Sequence, residues 1–430
     1  MRINFEKVGC VIGIDVHSKI LVCHAKSIRG EEVIEESQSF PTFKRGIRDL
    51  VEWARKFSPD FLIMESTGIY WKSPYHFLEK AGFLTFIVNA CHVKGMAGKK
   101  TDMQDAKWLA EVGFMGCFTP SYIPKEQWQD LQSSYRLYVK NVLTLQTYKN
   151  RENKAFDDAG FRLGTVFSDT SGKNARIAKA CILKGMTPEQ VLAHIDTNRL
   201  KASEEELLDA FDGDLRECHI QNIQICQSIE AVLEAEIKKT SNLLTQKVMK
   251  LEPELLKYLV TIPGFDIMSA VGFIIEIGGK NVLDAFASEE RFSSWLGVCP
   301  GNNESAGKRK SGKARKGNKF LRRILCEVAQ AAVRTKNTTF MTKFNCLKIR
   351  LGFKKSVFAI AHKISRIAFL LIKNSQSFVD PNIDYQQEML KKNASRKIKE
   401  LLKLEDWLIH AENMLTGETL ESPKQEEATA

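Results

Sequence analysis

The sequence has no long uninterrupted apolar run and no closely spaced pair of cysteines. Its most apolar late segment, residues 357–372, is interrupted by Lys363 and Arg366 and falls short of a membrane span. The ten cysteines include no CxxC pair, and no secretory signal precedes them. We therefore expect reduced thiols in a cytoplasmic protein and exclude a disulfide framework, a zinc knuckle and a membrane role.

Acidic residues are also scarce in one part of the chain. Residues 300–375 contain nineteen Lys and Arg residues but only two acids, Glu304 and Glu327, whereas the whole sequence has a formal net charge of +11. Such a density of positive charge is typical of a surface that binds a polyanion, and the release of phosphate counterions makes that binding sensitive to salt. The sequence therefore predicts a nucleic-acid-binding region here.

The first hundred residues have the pattern of an α/β domain. Short apolar runs at 8–16, 20–28, 60–67 and 84–90 predict strands, the first two forming a hairpin, and residues 40–57 have helical spacing. A chain of 430 residues can bury more than one core, so we expect two or three domains.

Strand signals nearly vanish after residue 126, which indicates a helical remainder and an overall α/β plus α class. Residues 128–156 predict one long basic helix. Two sets with coiled-coil spacing, Ile225, Ile229 and Val232 and then Leu244, Val248 and Leu251, favour a helical hairpin or a dimerising arm. A Pro-Gly turn within 259–278 resembles a helix-hairpin-helix, either a phosphate contact or a packing corner. A last amphipathic helix and a disordered tail are expected after 376.

Four carboxylates stand where the first domain could bring them together. Asp15 and Glu65 each end an apolar strand, and Asp102 and Asp105 lie three residues apart at the start of a helix, so they face one way. Hard oxygen ligands in this arrangement are what a two-metal phosphoryl-transfer site requires. The four residues therefore predict a divalent-metal site.

Each carboxylate also has an ordinary structural alternative. Asp102 could cap its helix, Glu65 could cap the turn before Gly68, and Asp15 could pair with Lys19 or His17. His17 could itself lean into the site. In a chain that also carries a polyanion-binding region, we favour the metal site over these separate alternatives.

The order of the motifs resembles a known family. GIDVHSK, MESTGIYW and KKTDMQDAKWLAEV are followed by IPGFDIMSAVGFIIEIG and then RFSSWLGVCPGNNESAGKRKSGKARKGNKFLRRIL. From about residue 8 to 340 this succession resembles the DEDD-type insertion-sequence transposases, which are RNA-guided bridge recombinases. The resemblance implies a RuvC-like N-terminal domain with an RNase H fold, in which Asp15, Glu65, Asp102 and Asp105 bind two Mg²⁺ ions.

The resemblance also gives Ser305 a role as the nucleophile that joins covalently to DNA. Pro300 precedes it by five residues, and Ala306 and Gly307 follow; Glu304 and Ala306 stand where the family more often has a serine and a glycine. Ser311 is the rival hydroxyl, but it lies inside the cationic run. A serine needs a base, a metal or strong local positive charge to act as a nucleophile. Metals from one domain and a serine from another are expected to meet at one phosphate.

The cationic run that follows Ser305 predicts contacts to backbone phosphates. Residues 307–314 match G-x-x-x-x-G-K, but Ala314 stands where a P-loop needs Ser or Thr and no strand is expected to lead into it, so we exclude nucleotide binding. The alternative is a solvated charge run. The expected phosphate-binding residues are Lys308, Arg309, Lys310, Lys313, Arg315, Lys316, Arg322 and Arg323.

These observations predict four regions: a RuvC-like metal domain (7–155), a helical coiled-coil region (156–255), a serine-containing DNA-binding domain (256–375) and a C-terminal helix and tail (376–430). The resemblance further implies donor and target DNA, a structured guide RNA, a homodimer that assembles to a tetramer, and a place in the prokaryotic cytoplasm or nucleoid. Two rivals stay open: a junction-resolving nuclease that uses metal-activated water, and a basic nucleic-acid-binding protein without catalysis.

Overall fold

The computed structural model describes residues 8–66, 68–89, 101–198, 200–301, 303–305, 308–312, 314 and 317–381. The chain divides into two compact units between Ile123 and Pro124. The predicted region boundaries at 155, 255 and 375 stay predictions. The predicted C-terminal helix and tail lie outside the described residues from 382 onward.

The first unit is built on a mixed five-stranded sheet. Its strands are β1 (Cys10–Val16), β2 (Ile20–Arg29), β3 (Glu32–Pro41), β4 (Phe61–Glu65) and β5 (Thr85–Val88). The strand order is β3-β2-β1-β4-β5; β1, β2 and β3 are antiparallel neighbours, whereas β1, β4 and β5 run parallel. These are the order and directions of an RNase H-like sheet, as expected.

Two expectations for this unit need correction. Residues 32–41 form the edge strand β3, which the sequence pattern did not indicate because six of its ten residues are polar and eight are exposed. The helix expected at 40–57 begins only at 44, because Phe40 and Pro41 belong to β3.

Three helices accompany the sheet: α1 (Lys44–Phe57) and α2 (Lys72–Lys80) connect strands, and α3 (Asp102–Met115) follows β5. Successive strand residues point to opposite faces of a sheet. Ile12 and Ile14 therefore share a core with α1 residues such as Leu50, whereas Val11 packs with Leu109 of α3. The odd-numbered residues of β1 thus face α3.

Two glycines let α3 approach β1 closely. A Cβ added at Gly13 would lie 2.1 Å from the Ala106 carbonyl oxygen, and one added at Gly113 would lie 2.7 Å from a Val11 methyl carbon. Only hydrogen atoms fit in that space. The absence of side chains at these positions therefore sets how near α3 lies to the end of β1.

The second unit begins with a long helical pair. The long helix expected at 128–156 is α4 (Glu126–Asp158), and it packs along α9 (Glu217–Leu251). Between them lie α5 (Leu163–Val166), α6 (Lys173–Leu183), α7 (Pro188–His194) and α8 (Glu204–Phe211), which share a core with Phe156 and Ile223. Leu244 and Val248 of the expected seam are buried, but Ile225 and Val232 are exposed, so the coiled coil stays a prediction.

The rest of the second unit is a helical layer with one small hairpin. Its elements are α10 (Pro253–Val260), α11 (Ile267–Ile277), α12 (Val282–Ala285), α13 (Glu289–Leu296), β6 (Asn303–Ser305), β7 (Lys308–Ser311), α14 (Lys319–Ala332) and α15 (Thr339–Asn374). A 3₁₀ turn spans Gly279–Asn281. Among the residues that the structure describes, no helix combines the length and the apolar content needed to cross a bilayer.

The Pro-Gly turn lies between α10 and α11. Gly264 has a φ of 95°, which favours glycine, and a Cβ there would lie 2.3 Å from the Val328 carbonyl oxygen of α14. The turn therefore packs against another helix, which supports the packing corner. Phosphate binding by this turn stays a prediction.

Candidate active site

Asp15 and Glu65 are placed side by side by the register of two parallel strands. Ile14 of β1 pairs with Met64 of β4, and the two carboxylate residues come next in each strand. Phe61 and Ile63 pack on the α3 side of the sheet, so Glu65 shares that face with Asp15. The carboxyl ends of the strands therefore bring both side chains to one edge, as the sequence predicted.

Asp102 and Asp105 lie in the first turn of α3, above the same edge of the sheet. The helix is capped by Thr101, whose hydroxyl accepts a hydrogen bond from the Gln104 amide at 3.3 Å. Asp102 is the first helical residue and not the cap, so the capping alternative for this residue is wrong. Its side chain is 59% exposed.

His17 lies between two of these carboxylates. Its Nε2 atom is 2.9 Å from Asp15 Oδ2 and 3.4 Å from Asp102 Oδ1. The three groups each offer a ligand atom, and these atoms lie within 4.8 Å of one another. The pairing of Asp15 with His17, one of the two pairings weighed from the sequence, is therefore present and also links β1 to α3.

Electrostatics shows that Asp15 lies among like charges. Burial raises the pKa of the Asp15 carboxyl, His17 lowers it, and the charges of Glu65 and Asp105 raise it further. The Asp15 side chain is only 8% exposed. A buried carboxylate beside two other acids is stabilised by a bound cation, and the oxygen-rich set of groups suits a hard divalent ion.

Ser305 lies in a second cluster, on the hairpin of β6 and β7. The backbone pairs Ser305 with Lys308, Glu304 with Arg309, and Asn303 with Ser311, with a bulge near Asn303. Ser305 is thus the last strand residue before the two-residue connection. Lys313, Arg315 and Lys316 lie outside the described residues.

The hairpin differs in one respect from what the sequence predicts. We expected no strand to lead into residues 307–314, but β6 ends at Ser305 and β7 occupies residues 308–311. The rejection of a P-loop is unaffected, because a strand occupies the part of the motif that would have to be a phosphate-binding loop.

Two glycines hold the ends of the hairpin segment together. A Cβ added at Gly317 would lie 2.5 Å from the Gly297 amide nitrogen, and one added at Gly297 would lie 2.8 Å from Gly317 Cα. Arg322 packs beside them: its Nη2 atom would lie 2.7 Å from a Cβ added at Gly297. The backbone on both sides of the serine hairpin is therefore in direct contact at its base.

A buried ion pair anchors the same base and was not found from the sequence. Glu276 is fully buried, and both its oxygens accept hydrogen bonds from Arg136 at 2.8 Å. Asn318, the N-cap of α14, donates to the same carboxylate at 2.8 Å. The only sequence signal is one acid inside an apolar helix, IMSAVGFIIEI.

The two remaining predicted phosphate-binding residues, Arg322 and Arg323, lie in the first turn and a half of α14. Arg323 Nε donates to Glu327 at 2.7 Å, and its side chain is 37% exposed. Arg322 is half-buried. Their contacts to DNA stay predictions.

Two family profiles match separate parts of the chain. Residues 12–160 match the DEDD transposase profile of the IS110 family, described as a transposase, and residues 256–345 match the profile "Transposase IS116/IS110/IS902 family". The first match contains all four carboxylates and the second contains Ser305. Together the two matches span more than half of the chain.

Solved structures give a weaker likeness. The Thermus thermophilus RuvC structure is 15% identical to this chain in sequence, with a TM-score of 0.22. The match covers 26% of this chain and 99% of the RuvC chain. T. thermophilus RuvC in complex with a Holliday junction substrate is 14% identical, with the same coverage and TM-score. These scores are too low to support a conclusion, and no curated protein matches the chain. The two family matches, in the expected order, show that the chain belongs to the IS116/IS110/IS902 family of DEDD-type DNA transposases.

Proposed function

We propose that this transposase cuts and rejoins DNA through a divalent-metal site at Asp15, Glu65, Asp102 and Asp105 and through a serine nucleophile, Ser305. The observation that carries the metal site is the convergence of acids from β1, β4 and α3 at one edge of the sheet. Burial and neighbouring acids raise the pKa of Asp15, which fits a group that a cation stabilises.

Magnesium is the proposed ion, with two ions per site. The four carboxylates offer hard oxygen ligands, and His17 Nε2 holds Asp15 and Asp102 near each other. When bound, the ions would supply positive charge and Lewis acidity at a phosphodiester. The protein's own part is to fix the two strand-end acids and the helical pair in one place.

Ser305 is proposed to attack the scissile phosphorus. Its Oγ forms a bond to phosphorus as one P–O bond of the DNA breaks; the serine hydroxyl loses its proton, and the departing deoxyribose oxygen takes one up. Attack by a deoxyribose hydroxyl on the phosphoserine ester reverses these changes and frees Ser305. Strands can therefore be exchanged without ATP, because the ester keeps the energy of the broken linkage.

The cations around Ser305 are proposed to hold the DNA backbone. The backbone register pairs Ser305 with Lys308 and Glu304 with Arg309, so each has a cationic residue as its partner in the hairpin. Positive charge near the serine also favours its alkoxide form. The proposed contacts are those at Lys308, Arg309, Lys310, Lys313, Arg315, Lys316, Arg322 and Arg323.

Three further properties rest on the family resemblance: a structured guide RNA, donor and target DNA duplexes, and a homodimer that assembles to a tetramer. The long helix α4 is our proposed place for the RNA. Sequencing the RNA that co-purifies with the protein tests this proposal, because a guide should be one defined transcript and not a mixture of cellular RNA.

The test of the reaction is covalent trapping. A plasmid carrying the gene with its native flanking DNA is incubated with protein, the RNA that co-purifies with it and Mg²⁺, and the products are separated under denaturing conditions. We expect a protein–DNA adduct with the wild type and with the matched control Ser311→Ala, and none with Ser305→Ala, although Ser305→Ala still binds DNA. Metal-dependent cleavage without an adduct would show a nuclease that uses water, and no cleavage would show a binding protein.

A further inference from the structure

Helix α15 is bent at Gly352, far along the chain from the serine hairpin. Gly352 has a φ of 72° and a ψ of 173°, so the helix ends before it and starts again after it. A Cβ added there would meet nothing within 4 Å. Residues 348–350 and 352–355 are exposed, so the bend projects into solvent.

The bend is positively charged and has no acids near it in sequence. Lys348, Arg350, Lys354 and Lys355 are exposed, and within the described part of the chain none of them is in an ion pair. Residues 328–379 contain ten Lys and Arg residues and no Asp or Glu. By contrast, Arg366 on the same helix contacts Glu289 and Glu290.

Other cations on α15 are crowded together. Burial lowers the pKa of Lys363, and the nearby Lys343 charge lowers it further, while Asp380 acts in the opposite direction. Burial also lowers the pKa of His362, as do Arg366 and Lys343, against a smaller contribution from Glu290. Lys343, Lys363 and Arg366 therefore lie near one another, apart from the four exposed cations of the bend.

Two apolar side chains stand among these cations. Ile349 is 92% exposed and Phe353 is 49% exposed. The Phe353 ring contacts Phe344 edge-on at 5.6 Å, which supports it from below. Ile349 therefore contributes little to the core, and its side chain is accessible to a binding partner.

We propose that this bend surface, made of Lys348, Ile349, Arg350, Phe353, Lys354 and Lys355, binds duplex DNA. The four cations contact phosphates, and Ile349 packs into the groove against base edges or between base pairs. A second copy of the same surface is a poor partner, because a two-fold contact would place like charges against each other. The inference rests on the proposed DNA reaction, but it adds a surface outside the serine hairpin.

The experiment measures binding of the full-length protein to a labelled mixed-sequence duplex in EDTA, over a range of KCl concentrations. Lys354→Ala/Lys355→Ala should weaken binding and reduce the slope of log K against log salt by up to about 1.8, since each phosphate contact contributes about 0.9. The matched control is Lys184→Ala/Lys201→Ala, which removes two exposed cations from the α5–α8 region and should leave the slope unchanged. Thermal melting checks that each variant is folded.

Ile349 is tested by a pair of variants. Ile349→Ala should weaken duplex binding several-fold at an unchanged salt slope, because an apolar contact releases no counterions, and Ile349→Leu should keep most of the affinity. Equal slopes for the wild type and Lys354→Ala/Lys355→Ala would overturn the inference, as would a loss confined to an RNA hairpin probe. If the wild-type protein bound no duplex, the proposed DNA reaction would be contradicted as well. If Lys354→Ala/Lys355→Ala kept the wild-type salt slope while the wild type formed the covalent adduct, only the bend surface would be contradicted.

Discussion

Two aspartates of the candidate metal site have opposite environments. Asp15 is almost fully buried beside Glu65 and Asp105, whereas the Asp102 side chain is 59% exposed at the start of α3. The raised pKa of Asp15 means that its ionised form is less stable in the folded protein than in the unfolded chain. Ionised Asp15 therefore lowers the free energy of unfolding of the metal-free protein.

Asp15→Asn should consequently stabilise the metal-free protein at neutral pH. The ionised carboxylate lowers the free energy of unfolding. This effect is absent below the pKa of 3.8 in the unfolded chain, grows as the pH rises toward the higher pKa of the folded protein, and is complete above that pKa. Melting curves in EDTA should thus show a higher midpoint for Asp15→Asn near neutral pH and converging midpoints in acid. Asp102→Asn, at an exposed position, is the control with little change. A less stable Asp15→Asn protein at neutral pH would contradict this electrostatic account.

Both substitutions should remove the metal response. Loss of one anionic ligand weakens a magnesium site sharply, so neither Asp15→Asn nor Asp102→Asn should gain thermal stability with Mg²⁺ or cleave DNA. The measurement is the Mg²⁺-dependent shift in melting midpoint beside plasmid cleavage. Wild-type cleavage by folded Asp102→Asn would remove that residue from the proposed site.

The residues of this site were largely predictable, because each lies at the end of an apolar strand or in the first turn of a helix. Parallel strands bring such ends together, so Asp15 and Glu65 follow from sequence alone. The sequence left two partners for Asp15, Lys19 and His17, because the geometry of the turn after β1 decides that Asp15 meets His17. Glu276 was missed because its partners, Arg136 and Asn318, are far away in sequence.

Among the secondary-structure elements, α3 is the one that completes the candidate metal site. Its distance from β1 is set where Gly13 faces the Ala106 carbonyl and Gly113 faces Val11. Any side chain at Gly13 must push the helix away, and Asp102 and Asp105 move with it. The geometry of the acids therefore depends on a glycine that is not itself a ligand.

Gly13→Ala should lower the free energy of unfolding by about 1–3 kcal/mol, as overpacking commonly does. It should also weaken Mg²⁺ binding, measured by calorimetry, because the helical acids are displaced from Asp15 and Glu65. Gly9→Ala is the control in the same unit, since a Cβ there would lie 3.7 Å from its nearest neighbour. Equal Mg²⁺ affinity in Gly13→Ala and the wild type would show that the position of α3 does not govern the site.

Two elements could not be read from the sequence for different reasons. Strand β3 is an edge strand whose polar residues face solvent, so it lacks the apolar alternation that reveals a strand. The β6–β7 hairpin consists mostly of charged and polar residues and is held at its base by Gly297 and Gly317. In both cases tertiary contacts outweigh local pattern.

For the whole molecule, the dominant feature is the separation of charge along the chain. The acids of the candidate metal site lie in the first unit, whereas positive charge is concentrated in residues 300–375 of the second. This distribution fits a protein that binds a polyanion with one region and carries out metal-dependent chemistry with another.

Replacing Lys308, Arg309 and Lys310 together by alanine should weaken DNA binding and flatten its salt dependence. Each lost phosphate contact removes about 0.9 from the log-log slope on duplex DNA. Titrations at several salt concentrations measure this, and the matched control replaces the exposed Lys173, Lys184 and Lys201 by alanine. If the slope of the hairpin variant equals that of the control, the hairpin cations are solvated and do not hold DNA.

The central claim is that Ser305 forms a covalent bond to DNA, and peptide mapping of the trapped adduct tests it most directly. The adduct is trimmed with nuclease, digested with protease and analysed by mass spectrometry. We predict a nucleotide remnant on the peptide that contains Ser305, attached through the Ser305 hydroxyl. A remnant on Ser311, on a tyrosine or on no residue would contradict the claim, even if the metal site proved correct.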